Sequence, residues 1–357
     1  MANKTARLGD LATYINGYAF KPADWGDTGL PIIRIQDLTG NSYQLNRYDG
    51  GYPERIEVND GDVLISWSAS LGVYVWQRGK ALLNQHIFKV VFDKLPVNKD
   101  YFVFAVEHKL AEMESKTHGA TMKHIVKKDF DGTTIPYPPI EKQAEIADHL
   151  RRITSLIDRQ TEQLLLLDQL VKSRFIELFG EPELNPRDLP VLPWGAVFQT
   201  TTGKLDSNAM VENGRYPFFT CAKESYKIDS YAFDCEALLL AGNNAAGIYD
   251  VKHYKGKFNA YQRTYVLRLM NEKWSYILFK RQLEDKLRYL QSQSKGTNTR
   301  YLTLGILNEL RFVVPPIAEQ EQFAAFVEQT DKSKLAVQKG LQELEILKKS
   351  LMQQYFG

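Results

Sequence analysis

The feature that most constrains this chain is an internal repeat with a period of 177 residues. Residues 138–143 read PPIEKQ, and residues 315–320 read PPIAEQ. The same shift carries Phe179-Gly180 onto Phe356-Gly357, with no insertion in between. A fixed shift over so long a stretch indicates a duplicated unit, so we expect two copies of one structural plan.

Upstream of this stretch the two copies match more weakly. GDVLIS at 61–66 aligns with CEALLL at 235–240, and NQHIFKV at 84–90 aligns with YQRTYVL at 261–267. Segments such as LPIIRI, DVLISW, GVYVW and HIFKVVF are rich in β-branched and aromatic residues and are bounded by Gly, Asn or Asp. Because strands and helices do not alternate regularly, each front is predicted to be a twisted mixed sheet or partial barrel with short helices.

A long helix is predicted to follow each front. The run from Ile140 to Phe179 contains no Pro or Gly after Pro138-Pro139, which indicates one continuous helix. Its apolar residues recur in alternating steps of four and three, which is typical of a coiled coil, and the second copy repeats this less regularly. The predicted seam residues are Ile146, Leu150, Ile153, Ile157, Leu164, Leu167, Val171, Phe323, Val327, Val337, Leu341, Leu344 and Leu351.

So long a seam requires a partner, and the comparable seam in this chain is that of the other copy. We therefore expect an α+β fold in which two mixed α/β domains are each followed by a long helix. The helices would pair as an antiparallel coiled coil with pseudo-twofold symmetry, forming a rod about 60 Å long. The predicted boundaries are 1–138 and 181–315 for the domains and 139–180 and 316–357 for the helices.

The composition is that of a globular protein, with 44% hydrophobic and 25% charged residues. No apolar stretch approaches the length of a membrane span, and the N-terminus lacks the apolar core of a secretion signal, so we expect a cytoplasmic protein. The net charge of +2 is too small to indicate a nucleic-acid partner by itself, but basic residues cluster locally in 109–128 and 280–300.

The motifs of several enzyme classes are absent from the sequence. It has no Asn/Asp-Pro-Pro-aromatic motif of an amino-methyltransferase, no phosphate-binding GxxxxGK[ST] loop and no HExxH. Cys221 and Cys235 belong to no CxxC or Cys/His cluster, so neither a disulfide framework nor a zinc site is indicated. We therefore assign no catalytic or metal-binding residue.

The motifs of the first copy, taken in order, are NGYAFKPADW, LPIIRIQDL, GDVLISWSASLG, LLNQHIFKV, KTHGATMKHI, PYPPIEKQAEIADHL and RFIELFG. The second copy keeps GTNTRYL, VVPPIAEQEQFAAFV and the terminal YFG, but it lacks clear counterparts of the AFK and GDVLIS segments. In this order, and duplicated at one period, the motifs resemble the specificity subunits of Type I restriction-modification systems.

The resemblance implies that each domain is a target-recognition domain that reads one half of a split sequence in double-stranded DNA. The helices would act as a spacer for the unread gap, and a rod of about 60 Å exceeds the ~35 Å of one DNA turn. It further implies two methyltransferase subunits as partners, together with motor-nuclease subunits in some systems. Adenine methylation would use S-adenosylmethionine held by the partner, and this chain would bind no cofactor and catalyse no reaction.

DNA reading needs Arg and Lys for guanine and phosphate, Asn and Gln for adenine, and Ser and Thr for either, presented on loops. In the first domain the candidates are Lys21, Arg34, Gln36, Ser66, Trp67, Ser68, Ser70, Gln85 and His86. They are joined by the loop residues Lys116, Thr117, His118, Thr121 and Lys123. In the second domain they are Thr201, Thr202, Lys204, Lys223, Asn243, Asn244, Gln262, Arg263, Lys295, Thr297, Asn298 and Arg300.

Two other interpretations of this chain's function remain open. The chain could be a protein-interaction scaffold built on the coiled coil, and it would then show no salt-sensitive affinity for DNA. It could instead be a self-sufficient methyltransferase or nuclease on an unfamiliar fold, and the purified chain would then methylate or cleave DNA alone.

Overall fold

A computed structural model of the chain describes residues 4–40, 46–116, 125–181, 184–245 and 247–357, the side chains of 114–116 excepted. The chain divides into two compact units. Unit 1 comprises Met1–Thr161 and Lys339–Gly357, and unit 2 comprises Glu162–Gln338. The units therefore divide within the two long helices, and the domain boundaries expected from the repeat stay a prediction.

Unit 1 is built from short strands in three small sheets. The strands are β1 (Thr5–Arg7), β2 (Thr13–Asn16), β3 (Leu30–Ile33), β4 (Arg47–Tyr48), β5 (Glu57–Val58), β6 (Val63–Ser66), β7 (Gly72–Val75), β8 (Ala81–Leu83), β9 (Ile87–Val91) and β10 (Thr134–Pro136). Their orders are β2-β9-β6-β7, β4-β3-β8-β5 and β1-β10, and the pair β3 and β8 is parallel. The helices are α1 (Leu8–Leu11), α2 (Ile35–Leu38), α3 (Lys99–Lys116), α4 (Lys127–Gly132) and α5 (Ile140–Phe179), whose second half belongs to unit 2, with 3-10 turns at Pro22–Asp24 and Glu54–Ile56.

The central strand β6 explains how unit 1 packs. All four of its residues are buried, and alternate side chains of a strand point to opposite faces. Val63 and Ile65 join one hydrophobic core, which also contains residues of α3 and α5. Leu64 joins the core on the other face, with residues of β3 and β8.

Unit 2 contains one larger sheet and two short ones. The strands are β11 (Val191–Pro193), β12 (Phe198–Thr202), β13 (Tyr216–Phe219), β14 (Tyr226–Ile228), β15 (Phe233–Ala241), β16 (Asn243–Asn244), β17 (Val251–Ala260), β18 (Thr264–Leu269), β19 (Arg300–Tyr301) and β20 (Arg311–Val313). Their orders are β12-β18-β15-β17-β13-β14, β11-β20 and β16-β19. The helices are α6 (Trp194–Val197), α7 (Tyr276–Asp285), α8 (Leu287–Gln293), α9 (Leu304–Asn308) and α10 (Ile317–Phe356), whose end belongs to unit 1, with a 3-10 turn at Ser207–Ala209.

The prediction of two long helices at one period is confirmed. Helices α5 and α10 are each 40 residues long, and both begin directly after a Pro-Pro pair. Gly180, which follows α5, has a φ of +78°, a left-handed conformation that ends helices readily.

Within each unit the two long helices pack against each other in antiparallel orientation. In unit 1 the first half of α5 meets the end of α10, and His149 lies 3.4 Å from the hydroxyl of Tyr355. In unit 2 the second half of α5 meets the start of α10, where Lys334 forms a 2.6 Å ion pair with Asp168. The pairing expected from the seam is therefore confirmed in both units.

The predicted seam residues lie on the inner faces of these helices. Ile146, Leu150, Val171 and Phe323 are buried, and the others are half-buried. In the described part of the chain, no helix is both long enough and apolar enough to cross a membrane.

Candidate nucleic-acid interface

In unit 1, four chain segments meet where strands end. They are the segment that follows β2, the segment that follows β3, the turn between β6 and β7, and the turn between β8 and β9. Backbone hydrogen bonds join them, from Gly17 N to Ile87 O (3.1 Å), Gln85 N to Tyr18 O (2.9 Å), Asn84 N to Ile33 O (3.1 Å) and Trp67 N to His86 O (3.2 Å). We call these segments, residues 16–21, 34–36, 66–70 and 84–86, the strand-end surface of unit 1.

The same pattern of hydrogen bonds occurs in unit 2. It runs from Gly203 N to Thr264 O (3.4 Å), Gln262 N to Leu205 O (2.9 Å), Tyr261 N to Phe219 O (2.9 Å) and Gly242 N to Arg263 O (2.9 Å). We call residues 202–205, 220–223, 241–244, 261–263 and 295–300 the strand-end surface of unit 2. The duplication therefore extends into the fronts, where the sequence match is weak.

A glycine permits the close approach of two segments in each copy. A Cβ on Gly17 would lie 1.9 Å from the carbonyl oxygen of Asn84, and a Cβ on Gly203 would lie 1.8 Å from that of Ala260. No side chain fits at such distances, so both positions require glycine for steric reasons.

The structure corrects one alignment of the repeat. In the sheets, Ser66 pairs with Ile87, and Ala241 pairs with Thr264, the residue that the repeat aligns with Ile87. Ser66 therefore corresponds to Ala241, whereas the match of 61–66 with 235–240 aligns Ser66 with Leu240. That match is one residue out of register. The cause is that both segments are continuously apolar, and such a run carries no alternation to fix its register.

The predicted DNA-contacting residues of unit 1 differ widely in exposure. Lys21, Gln36, Ser70 and Gln85 are exposed, Arg34, Trp67 and His86 are half-buried, and Ser66 and Ser68 are buried. Thr117, His118, Thr121, Lys123 and the side chain of Lys116 lie outside the described residues. The surface thus brings together candidates from four separate segments, but not all of them face outward.

Three of the less exposed candidates have partners inside unit 1. The guanidinium of Arg34 forms a 3.1 Å ion pair with Asp37, whose side chain is only 2% exposed. The hydroxyl of Ser66 donates to the carbonyl oxygen of Ser70 at 2.5 Å. The indole of Trp67 stacks on Phe88, with ring centroids 5.5 Å apart, and packs against the core.

The strand-end surface of unit 2 is more open and more basic. Thr201, Thr202, Lys204, Lys223, Gln262, Arg263, Lys295, Thr297, Asn298 and Arg300 are exposed, and Asn243 and Asn244 are half-buried. Pairing of β16 with β19 sets Asn244 opposite Arg300 and Asn243 opposite Tyr301. Asp206 is an acidic neighbour, and its carboxylate accepts a 3.4 Å hydrogen bond from Gln262.

A half-buried tyrosine supports this surface from beneath. The hydroxyl of Tyr265 donates to the carbonyl oxygen of Leu302 at 3.0 Å. Burial raises the pKa of Tyr265, so its hydroxyl stays protonated and keeps donating at neutral pH. Cationic, amide and hydroxyl side chains around such a support are the groups that contact phosphates and base edges.

Sequence reasoning missed some residues of these surfaces. Asn16 accepts a 3.3 Å hydrogen bond from the indole nitrogen of Trp67, and the neighbouring Tyr18 is 43% exposed. Both belong to the NGYAF segment, whose Asn-Gly pair is a typical turn signal. Gly242 was also missed, because a single glycine after an apolar run is typical of an ordinary strand end.

Comparison with known proteins places these observations in a family. Residues 2–167 and 189–346 match the family model for the Type I restriction modification DNA specificity domain. The EcoDI specificity subunit of a Type I restriction enzyme from Escherichia coli is 37% identical over 139 residues, covering 39% of this chain and 30% of that protein. The EcoBI specificity subunit from the same organism is 29% identical over 168 residues, covering 46% of this chain and 35% of that protein. The matched stretches thus span about a third of the length of these curated relatives.

Solved structures share the fold. The Type I restriction-modification S subunit from M. genitalium aligns with a TM-score of 0.65 at 15% identity, covering 99% of this chain and 96% of that one. A chain from a structural study of complex assembly and conformational transition in the type I R-M system aligns with a TM-score of 0.54 at 17% identity, covering 99% and 97%. With more than half of its residues matched by the family model, and with the fold of an S subunit, this chain belongs to the Type I restriction-modification DNA specificity family.

Proposed function

We propose that the chain is a non-catalytic specificity subunit that reads double-stranded DNA at a target made of two parts. Each strand-end surface would read one part, and the stretch between the parts would be left unread. The observation that carries this proposal is the same set of backbone hydrogen bonds in both units, beneath different side chains. One scaffold with two side-chain sets is what two different sequences require, because base edges are distinguished by side-chain donors and acceptors.

The side chains of the two surfaces suggest different ways of reading. In unit 2, Lys204, Lys223 and Arg263 are exposed on separate segments, so several phosphates and base edges come within reach. In unit 1, Gln36 and Gln85 are the exposed amides, a side-chain type suited to adenine. We propose these residues, with the other candidates named from the sequence that are exposed, as the DNA contacts.

We propose further that the chain directs two methyltransferase subunits, and motor-nuclease subunits, to this target in the cytoplasm. The partner would bind S-adenosylmethionine and methylate adenine. The family and the names of the relatives, which are specificity subunits of restriction enzymes, support this assignment. Helix α5 also exposes large apolar side chains, with Leu165 at 60% and Leu166 at 54%, as expected of a helix that docks a partner.

Footprinting of the complex reconstituted with its methyltransferase subunits tests the proposal. We expect two short protected patches separated by a gap of constant length. Binding should weaken steeply as salt rises, because each phosphate contact releases counterions. A single continuous patch would contradict the two-part model, and affinity that ignores salt would favour the scaffold alternative.

A further inference from the structure

Gly242 holds a special place in the strand-end surface of unit 2. It lies between β15 and β16 and is buried. Its N–H donates to the carbonyl oxygen of Arg263 at 2.9 Å, and its own carbonyl oxygen accepts from the N–H of Leu302 at 2.8 Å. One residue therefore ties together the turn that carries Arg263 and the segment that leads out of residues 295–300.

Two contacts hold the segment that contains Leu302. Leu302 directly follows β19, whose Arg300 is opposite Asn244 in the ladder. The carbonyl oxygen of Leu302 also accepts the 3.0 Å hydrogen bond from the hydroxyl of Tyr265. Displacing Gly242 would thus disturb the placement of Arg263 and Arg300 together.

Space at this position is limited. A Cβ on Gly242 would lie 2.3 Å from the carbonyl oxygen of Arg263 and 3.0 Å from the ring of Tyr265. The first atom belongs to the backbone, so even a methyl group would push the Arg263 turn away. The requirement for glycine here comes from the neighbouring turn rather than from an unusual backbone conformation.

Unit 1 fills the equivalent position differently. Trp67 makes the same two backbone hydrogen bonds, to His86 O at 3.2 Å and from Ile125 N at 3.0 Å. Its indole stacks on Phe88, which the repeat aligns with Tyr265. The two backbone hydrogen bonds at this position are common to both units, whereas the close approach of the turn that carries Arg263 belongs to unit 2.

We propose that Gly242 is a positioning residue for base reading by unit 2, acting through Arg263 and Arg300. It would set the Arg263 turn and the segment 295–300 at the spacing that one set of base pairs requires. This inference rests on the proposed function, since it concerns how the second surface discriminates between sequences.

The experiment measures methylation by the reconstituted complex on the matched target and on targets with single mismatches in either part. Arg263→Ala first identifies the part of the target that unit 2 reads. Gly242→Ala should then lower discrimination in that same part roughly tenfold or more, the scale of one lost base contact. Discrimination in the other part serves as an internal reference and should stay unchanged.

Gly195→Ala is the matched control, because a Cβ on Gly195 in the same unit meets no atom within 4 Å. If Gly242→Ala prevents assembly, Tyr265→Phe removes only the hydroxyl that holds Leu302 and should relax the same positions. Unchanged discrimination in the variant that assembles, or equal losses in both parts, would overturn the inference. A wild-type complex that ignores mismatches everywhere would instead refute the proposed function itself.

Discussion

At the residue scale, two buried glutamines explain why the helix-start motif recurs. The side chain of Gln143 donates to the carbonyl oxygen of Pro138 at 2.9 Å and accepts from the N–H of Asn98 at 3.0 Å. Its counterpart Gln320 donates to Pro315 at 2.8 Å and accepts from Ser275 at 3.0 Å. Both side chains are at most 1% exposed, so each one satisfies two backbone groups from a buried position.

Replacing either glutamine by an apolar residue of similar size should therefore destabilise the fold. We expect Gln143→Leu and Gln320→Leu each to lower the free energy of unfolding by about 2–4 kcal/mol, because two backbone groups lose the partner that reaches them from a buried position. Chemical denaturation of the full chain measures this change. The exposed Gln338→Leu on α10 is the control and should stay within about 0.5 kcal/mol of wild type. Equal effects of all three changes would refute the capping role.

Arg34 and Gln36 are neighbouring candidates for DNA contact, but their side chains have different surroundings. Arg34 is engaged by Asp37, whereas Gln36 is exposed on the same short helical turn. Arg34→Ala should cost about 1–3 kcal/mol of stability, because it leaves a buried carboxylate without its ion-pair partner. Gln36→Ala should leave stability unchanged and alter base preference in one part of the target. Thermal unfolding and mismatch methylation assays check both outcomes. An Arg34→Ala chain as stable as wild type would contradict the stabilising role of Arg34.

The exposure of the candidate side chains was the part of the site that the sequence predicted least well. The types and segments were chosen by chemistry, and the structure does gather those segments onto two surfaces. However, Ser66 and Arg34 turn inward to Ser70 and Asp37, and such pairings depend on packing between residues rather than on residue type. The burial of Ser66 follows from the central place of β6 in its sheet.

At the scale of elements, the long helices were the most predictable part of the chain. A Pro-Pro pair defines where each helix begins, Gly180 defines the end of α5, and the seam defines their inner faces. What the spacing did not reveal is a cluster of aromatic rings in unit 2. There Phe323 lies 5.6 Å from Phe175 and 5.7 Å from Phe179, measured between ring centroids.

This cluster should carry much of the stability of the helix pair in unit 2. Phe323 is fully buried, so Phe323→Ala should cost about 3–5 kcal/mol through lost contacts and the cavity left behind. Leu335→Ala on the same helix is the control, because Leu335 is 68% exposed and should change stability by about 0.5 kcal/mol or less. Denaturant titration of the full chain distinguishes the two variants, and similar losses would mean that the cluster is not the main contact.

The strands were predicted as a class but not in detail. β-branched and aromatic runs marked several of them, yet the pairing of β15 with both β17 and β18 was not foreseen. Pairing between distant strands is set by tertiary contacts that one sequence does not display. The one-residue error between 61–66 and 235–240 has another origin, because the apolar runs in these segments carry no alternation that would fix their register.

At the scale of the whole molecule, the repeat was the strongest information in the sequence. It predicted two fronts of one plan and two equal helices, and the structure repeats even the backbone hydrogen bonds at the strand ends. The sequence of bases that each surface reads was not predictable, because it depends on how loop side chains are aimed. A shared scaffold with divergent loops is consistent with two readers of different sequences.

The most direct test of this account is the sequencing of methylated adenines in host DNA, with and without this chain. We expect a single split motif, with two specified parts and an unread gap of fixed length, that disappears when the chain is deleted. Loss of methylation without such a split, or a continuous motif that depends on the chain, would contradict the account.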